Sequence, residues 1–409
     1  MTGILQTGRD LARRRPWLTA AIAALSLGAA GLGIGLATRS QPDEDEFQLR
    51  AEIPASGQPF ASALYQSLGV RLLPGNEVAL LGNGAVFDAL VEEIGKARSS
   101  VHLLLYIWEK GAASDRIVAA LVERAKAGVA CRILVDDFGS PDFATTIQPP
   151  LVQAGCEVRI FRPLPGKDKL SRNHRKIVVV DGKVAVTGGF GIRDNWLGDG
   201  VHQEGWRDEN VRFAGPAVAQ AQQAIAENWQ EAGGALLPPA AFPEITAAGP
   251  ASAAFISSTA SPNVTRSERL TQLMIAAARK RIWIANAYFV PSRAIVDLLA
   301  RKASSGVDVR ILAPGKKSDS KTSFGLQQGE YGALMKRDVR VWEYEPSMMH
   351  AKTMVVDDNL ALVGSINLDP LSLNKLEEGS LVIEDQALTA ALALNFGRDC
   401  EHSKELSSR

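Results

Sequence analysis

Two histidine–lysine pairs define the chemistry this chain can do. The first lies in Asn173-His174-Arg175-Lys176, followed by Ile177-Val178-Val179-Val180 and then Asp181-Gly182. The second lies in Met349-His350-Ala351-Lys352, followed by Thr353-Met354-Val355-Val356 and then Asp357-Asp358. Both read His-x-Lys, four residues, Asp, and two of the five histidines in 409 residues fall in this one pattern. A small-residue run follows each copy, Gly188-Gly189 in one and Gly364-Ser365-Ile366-Asn367 in the other. Side chains alternate faces along a strand, so His174 and Lys176 share a face, as do His350 and Lys352. Brought together, the copies supply two imidazoles and two ammonium groups to one small volume.

That set suits displacement at a phosphodiester. Such a reaction needs an in-line nucleophile, a proton for the leaving oxygen and positive charge around the remaining oxygens. A neutral imidazole can attack phosphorus, and a protonated one can serve the leaving group. Lys176 and Lys352 supply the charge. Gly189, Ser365 and Asn367 stand where they could contact or make room for the phosphate oxygens. Each histidine also needs a partner at its second ring nitrogen; Glu378 and a first-half carboxylate, either Asp208 or Glu209, are candidates. Asp181 and Asp357 are read as members of the catalytic set or as turn residues that orient it, since Asp-Gly after a strand is a hairpin signal. His102 is read as structural.

The elements that must position these residues alternate. Helical spacing over 86–97 precedes an apolar strand run over 101–108; a helix over 115–127 precedes a strand over 130–135; a strand follows at 157–161. Two strands over 176–180 and 184–187 flank the Asp181-Gly182 turn. A helix spans 217–231. The order then repeats: helix 267–279, strand 281–289, helix 292–303, strand 307–312, strand 339–343, and the second His-x-Lys strand with its partner at 360–363. Tyr106 and Tyr288 precede the two motifs at similar distances. This predicts an α/β layer fold of two similar halves, 70–238 and 253–402, with the active site at their interface. A Pro/Ala/Gly-rich linker falls at 239–252, and 40–69 reads as a polar tether. The stretch 314–335, with Lys316, Lys317, Lys321 and Ser323, reads as a mouth-lining segment or a solvated loop.

The duplicated motif resembles the phospholipase D superfamily, and within it bacterial cardiolipin synthases. The likeness runs from about Leu72 to Leu381 and includes Trp206-Arg207-Asp208, Gly215-Pro216-Ala217-Val218 and Gly364 through Pro370. The resemblance implies a two-step reaction through a phosphohistidine, with no cofactor and no metal. By that analogy His174 is the nucleophile and His350 the general acid, then base. A synthase passes the phosphatidyl group to a glycerol or phosphatidylglycerol hydroxyl; a phospholipase passes it to water. Gly191 stands where the second copy has Asn367, so one amide is missing from the first half.

Composition narrows the partners. Lys+Arg and Asp+Glu both number 45, for a formal net charge of +0. No global field attracts nucleic acid, which weighs against a nuclease, the alternative within the same superfamily. Cys131, Cys156 and Cys400 lack disulfide or metal-ligand spacing. At the N-terminus, Arg9, Arg13, Arg14 and Arg15 precede an uncharged run from Trp17 to Ala37, and Asp43, Glu44, Asp45 and Glu46 follow. About 20 uncharged residues suffice for a membrane-spanning helix. Residues 1–39 are therefore expected to be a single-pass transmembrane anchor, or alternatively a cleaved signal peptide. The charge asymmetry expects a cytoplasmic N-terminus and an extracytoplasmic catalytic part acting on phospholipid in the cell membrane.

Overall fold

The computed structural model describes residues 48–49, 53, 56–165, 171–202, 205–261 and 263–407. The segment expected to span a membrane lies outside them. Among the described residues, no helix is long and apolar enough to cross a membrane.

The described chain begins with helix α1 (Gly57–Leu68). The first half then runs β1 (Leu73–Gly82), α2 (Ala85–Lys96), β2 (Ser100–Leu105), α3 (Ala112–Lys126), β3 (Ala130–Asp136), α4 (Phe143–Thr146), α5 (Gln148–Gln153), β4 (Glu157–Phe161), β5 (Ile177–Val180), β6 (Val184–Gly188), β7 (Glu209–Ala214) and α6 (Val218–Glu231). The second half runs β8 (Ala251–Ser258), α7 (Arg266–Ala277), β9 (Arg281–Asn286), α8 (Arg293–Ser304), β10 (Asp308–Pro314), α9 (Lys321–Met335), β11 (Arg340–Tyr344), β12 (Lys352–Val356), β13 (Leu360–Gly364), α10 (Pro370–Asn374), β14 (Glu378–Glu384), α11 (Gln386–Glu401) and β15 (Ser403–Glu405).

Strand order shows the duplication directly. The first half reads β1-β7-β6-β5-β2-β3-β4, the second β8-β14-β13-β12-β9-β10-β11, with β15 added at the far edge. In each, three parallel strands joined through helices meet an antiparallel group built from the motif hairpin. Antiparallel pairing of β1 with β8 links the halves into one sheet. The period-two alternation of the motif strands sorts their side chains into separate cores. Val178 and Val180 face α2 and α3, whereas Ile177 and Val179 join a central core shared with Val355, Val363, Leu381 and residues of α6 and α11. The two halves therefore share apolar packing, not just a backbone link.

Two expectations need correction. The stretch 40–69 is not all tether, because α1 buries Phe60, Leu64 and Leu68 in the core of the second half and contacts α7. These three residues lie on one helical face, diluted in the sequence by polar neighbours. The stretch 314–335 is mostly the helix α9, capped by Ser320, whose side chain accepts from the Ser323 amide.

The motif aspartates also have a defined place in this architecture. Asp181 and Asp357 adopt left-handed φ values of 52° and 51° in the hairpin turns. The Asp181 carboxylate accepts from the amides of Arg98, Ser99 and Ser100 at 2.9, 2.7 and 2.9 Å. Asp357 accepts from those of Arg279, Lys280 and Arg281 at 3.0, 2.7 and 3.0 Å. Each clamps its hairpin to the loop that starts the neighbouring parallel strand. Burial favours the neutral Asp181 carboxyl, but its three amide donors outweigh that and hold its pKa below the usual value. Four residues lie between each lysine and its aspartate, a step of about 16 Å along extended chain. The aspartates are outside the reacting centre, contrary to a catalytic role. Asp357→Ala should cost roughly 2–4 kcal/mol of stability, the range for losing charge-assisted bonds to buried amides. Urea unfolding measures that cost. The folded fraction should turn over near the wild-type rate; a fully stable but inactive variant would return Asp357 to the chemistry.

Candidate active site

Each histidine sits in extended chain just ahead of its motif strand, and the opposite half fixes it there. The His174 amide donates to the Glu377 carbonyl at 2.8 Å, and the Glu377 amide to the Arg172 carbonyl at 2.9 Å. On the other side, the His350 amide donates to the Arg207 carbonyl at 2.6 Å, and the Arg207 amide to the Met348 carbonyl at 2.8 Å. These two short parallel bridges bring a carboxylate from the partner half to each imidazole. His174 Nδ1 lies 2.9 Å from Glu378 Oε1, and His350 Nδ1 lies 3.2 Å from Asp208 Oδ2. Of the two first-half candidates, Asp208 is therefore the partner. Glu209 pairs with Arg207 instead, at 2.9 Å.

The carboxylates are held in turn by related devices. Ser365 Oγ and Ser372 Oγ both donate to Glu378, the latter at 2.6 Å. Trp196 Nε1 donates to Asp208 at 2.7 Å, and the Glu209 amide donates to it at 2.8 Å. Trp196 stands at the same spacing behind His174 as Ser372 behind His350, so an indole does in one half what a hydroxyl does in the other. Their unlike side chains hid this equivalence in the sequence. Gly189 occupies the place of Ser365. A Cβ there would come within 2.6 Å of both Asp208 oxygens, so only glycine leaves room for the carboxylate. Ser365 and Gly189 thus serve the histidine partners rather than the phosphate directly. Asn367 is buried, and its Oδ1 has no hydrogen-bond partner among the described residues. Gly191 cannot match it, because a Cβ there would press on Ile107 at 2.9 Å and on Trp196 at 3.2 Å.

Aromatic rings wall the two imidazoles differently. Tyr106 meets His174 edge-on at 5.1 Å. His350 is enclosed by Trp196, Trp206 and Tyr288, with centroids at 5.0, 5.1 and 6.4 Å. His102 lies elsewhere, buried against Gln222 and Arg132, with burial pushing its pKa down to about 4.

The lysines are drawn in tightly. Lys176 Nζ donates to the His174 carbonyl and Lys352 Nζ to the His350 carbonyl, each at 2.6 Å. Lys352 Nζ also lies 2.9 and 3.0 Å from the two ring nitrogens of His350. His174 Nε2 has no hydrogen-bond partner among the described residues. Burial disfavours charge throughout this space. It lowers His174 to about 4, against the pull of Glu378 and with further depression from Lys176. Burial, then Lys352 and Lys176, hold His350 well below its ordinary value. Lys352 falls to about 8 by burial, opposed by Asp208 and Glu378, and burial also pushes Lys176 well down. Asp208 rises to about 6 because burial outweighs Lys352 and Trp196. Each half's lysine also acts on the other half's histidine, so the four groups lie within electrostatic reach of one another.

A two-fold pair of buried His-Lys units, each histidine oriented by a carboxylate from the other half, defines an enzyme of the duplicated phospholipase D class. The chain belongs to the family described as cardiolipin synthase, PLD-like domain, which matches residues 90–228 and 272–400. It is 33% identical over 341 residues to cardiolipin synthase 1 of Bacillus anthracis, covering 80% of this chain and 67% of that protein. It is 32% identical over 344 residues to cardiolipin synthase A of Pseudomonas putida strain F1, covering 82% of this chain and 71% of that one. In fold it matches the crystal structure of phosphatidylserine synthase from Haemophilus influenzae, with a TM-score of 0.62 at 15% identity, over 85% of this chain and 92% of that one. Polyphosphate kinase from Porphyromonas gingivalis shares the fold at a TM-score of 0.55 and 11% identity, over 90% of this chain and 52% of that one.

The charge states set a pH dependence. The attacking ring must be neutral and the lysines charged. As pH falls, Asp208 takes up a proton near 6 and His174 near 4, so kcat/KM declines below about 6 and is lost below about 4. As pH rises through about 8, Lys352 loses its charge and the rate falls again. A soluble phosphodiester substrate assayed from pH 4 to 10 should give this bell. A rate still rising at pH 10 would contradict the assignment.

Proposed function

We propose that this protein is a cardiolipin synthase-like phosphatidyltransferase working through a phosphohistidine. His174 Nε2 attacks the phosphorus of a phosphatidyl donor, and His350 protonates the leaving alkoxide. An acceptor hydroxyl then gives its proton to His350 and displaces His174 from phosphorus. The observation that carries this order is the asymmetry of the two rings. His174 has Nδ1 on Glu378 and an unengaged Nε2, whereas His350 has Lys352 against its ring and an aromatic enclosure. Burial, with Lys352 and Lys176 adding to it, holds His350 neutral. A bound phosphodiester anion offsets those charges and raises its proton affinity, so the acid forms when the substrate arrives. Lys176, Lys352 and Asn367 bear on the phosphate oxygens. Asp208 and Glu378 fix ring orientation, with Ser365 and Gly189 supporting them.

Purified protein incubated in chelator with labelled phosphatidylglycerol should yield cardiolipin and glycerol. Phosphatidic acid as the sole product would make it a hydrolase, and cut single-stranded DNA with untouched lipid would make it a nuclease. His174→Asn should abolish turnover and remove the acid-labile phosphate trapped on wild-type protein; near-wild-type turnover by this variant would refute the nucleophile assignment.

The substrate also suggests a place. We read residues 1–39 as a membrane anchor with its N-terminus in the cytoplasm, supported by four arginines ahead of the uncharged run and four acidic residues behind it. An alkaline phosphatase fusion after Arg409 should be active; a fusion active only as a cytoplasmic reporter would reverse the topology.

A further inference from the structure

One carboxylate near this site is out of place for a phosphate enzyme. Asp319 lies in the loop between β10 and α9, just ahead of the Ser320 cap, and is open to solvent. Tyr288, on the loop after β9, donates its hydroxyl to both Asp319 oxygens at 2.9 Å. The same Tyr288 ring stands edge-on to His350 at 6.4 Å. Asp319 is within electrostatic reach of Lys352 and of Arg193, the latter standing over the Trp206 ring at 5.8 Å. A carboxylate here offers no hydrogen-bond donor to a phosphate oxygen. It therefore does not serve the phosphate and must face another part of a substrate. One tyrosine hydroxyl leaves most acceptor positions of a carboxylate unused, since a carboxylate offers about four lone-pair sites. The equivalent loop of the first half, between β3 and α4, carries the exposed ring of Phe138 and Asp137, whose carboxylate accepts from the Leu164 amide at 2.7 Å. The Tyr288–Asp319 pair stands on the His350 side.

We propose that the Tyr288–Asp319 pair is the acceptor subsite, and that it binds the second hydroxyl of a 1,2-diol, as in a glycerol headgroup. This rests on the phosphatidyl-transfer reading above. In the second half-reaction one hydroxyl of the diol must reach His350. Its oxygen bonds to phosphorus, its proton moves to His350, and the bond from phosphorus to His174 breaks, leaving His174 neutral. The neighbouring hydroxyl, one carbon away, donates to Asp319 and is held beside the Tyr288 ring that borders His350. Lys352 and Arg193 offset the negative charge of Asp319, which favours a neutral polyol over a cationic amino alcohol. Tyr288 and Asp319 act here as specificity-determining residues and take no part in forming the phosphohistidine.

The test partitions the intermediate. Full-length protein is given phosphatidylglycerol vesicles with isotopically labelled glycerol, ethanol or ethanolamine at varied concentration, and labelled lipid is measured against phosphatidic acid. Wild type should prefer glycerol to both other acceptors. Asp319→Asn and Tyr288→Phe should raise the glycerol KM roughly tenfold or more, as expected for losing a hydrogen bond to a charged group. Transfer to ethanol should not fall in either variant, and phosphoenzyme formation should be no slower. An unaltered glycerol KM in both variants would overturn the subsite. So would a parallel loss with ethanol, which would mean the pair only props His350. A wild-type preference for ethanolamine that Asp319→Asn abolishes would show the carboxylate reading a cation, and the diol assignment would fall. If wild type forms no phosphatidyl product with any acceptor, the transferase reading fails and this proposal with it.

Discussion

Everything at the centre of this molecule depends on two short backbone bridges that cross between halves. Residues 172–174 pair with Glu377, and Arg207 pairs with residues 348–350. Each bridge puts a histidine from one half against a carboxylate from the other. The bonds are few, but they lie where the halves also share an apolar core, so the crossing is held by packing on one side and hydrogen bonds on the other. Neither half contains a complete histidine–carboxylate pair. Duplication of an α/β unit therefore became useful through reciprocal exchange, not through doubling of a finished site.

Crossing also determines the electrostatics. Two imidazoles and two lysines converge in a buried space, with Asp208 and Glu378 acting on both lysines. Burial lowers the proton affinity of all four bases, and the lysines depress the histidines further. A phosphodiester anion brought against the lysines would raise the proton affinity of the bases around it. Preorganised charge of this kind is costly to maintain. The surrounding network shows how it is kept: Arg175 is fully buried beneath His174, bonded to Asn228, the Ser258 carbonyl and the Glu378 carbonyl.

Much of this was legible in the sequence, and the parts that were not share a cause. The motif hairpins and the parallel strands β2, β3, β9 and β10 are apolar runs with clear limits. The strands β1, β7, β8 and β14 are not, yet they join the halves and carry or follow the partner carboxylates. Their texts contain Asn76, Glu77, Glu209, Asn210, Glu378 and Ser380, polar residues that are buried or paired for the site's sake and that erase the strand pattern. The same applies to Trp196 and Ser372, equivalent in position and function but not in residue type. The motif aspartates were the reverse case. Their regular spacing drew them into the chemical set, although it reflects a hairpin clamp common to both copies.

Helix α1 has a consequence for how the chain comes into being. It precedes the first half in sequence but seats Phe60, Leu64 and Leu68 in the core of the second, beside α7. During synthesis those side chains emerge well over a hundred residues before their cavity exists, and the helix must wait while the first half folds between. The start of the chain is docked late, after the loop has been closed by its own far end, and such long-range closure slows folding. A nascent chain therefore carries an unsatisfied apolar helix next to its N-terminal segment until the last strands are made. Its arrival on the second half ties the stretch ahead of the first half to the core formed last.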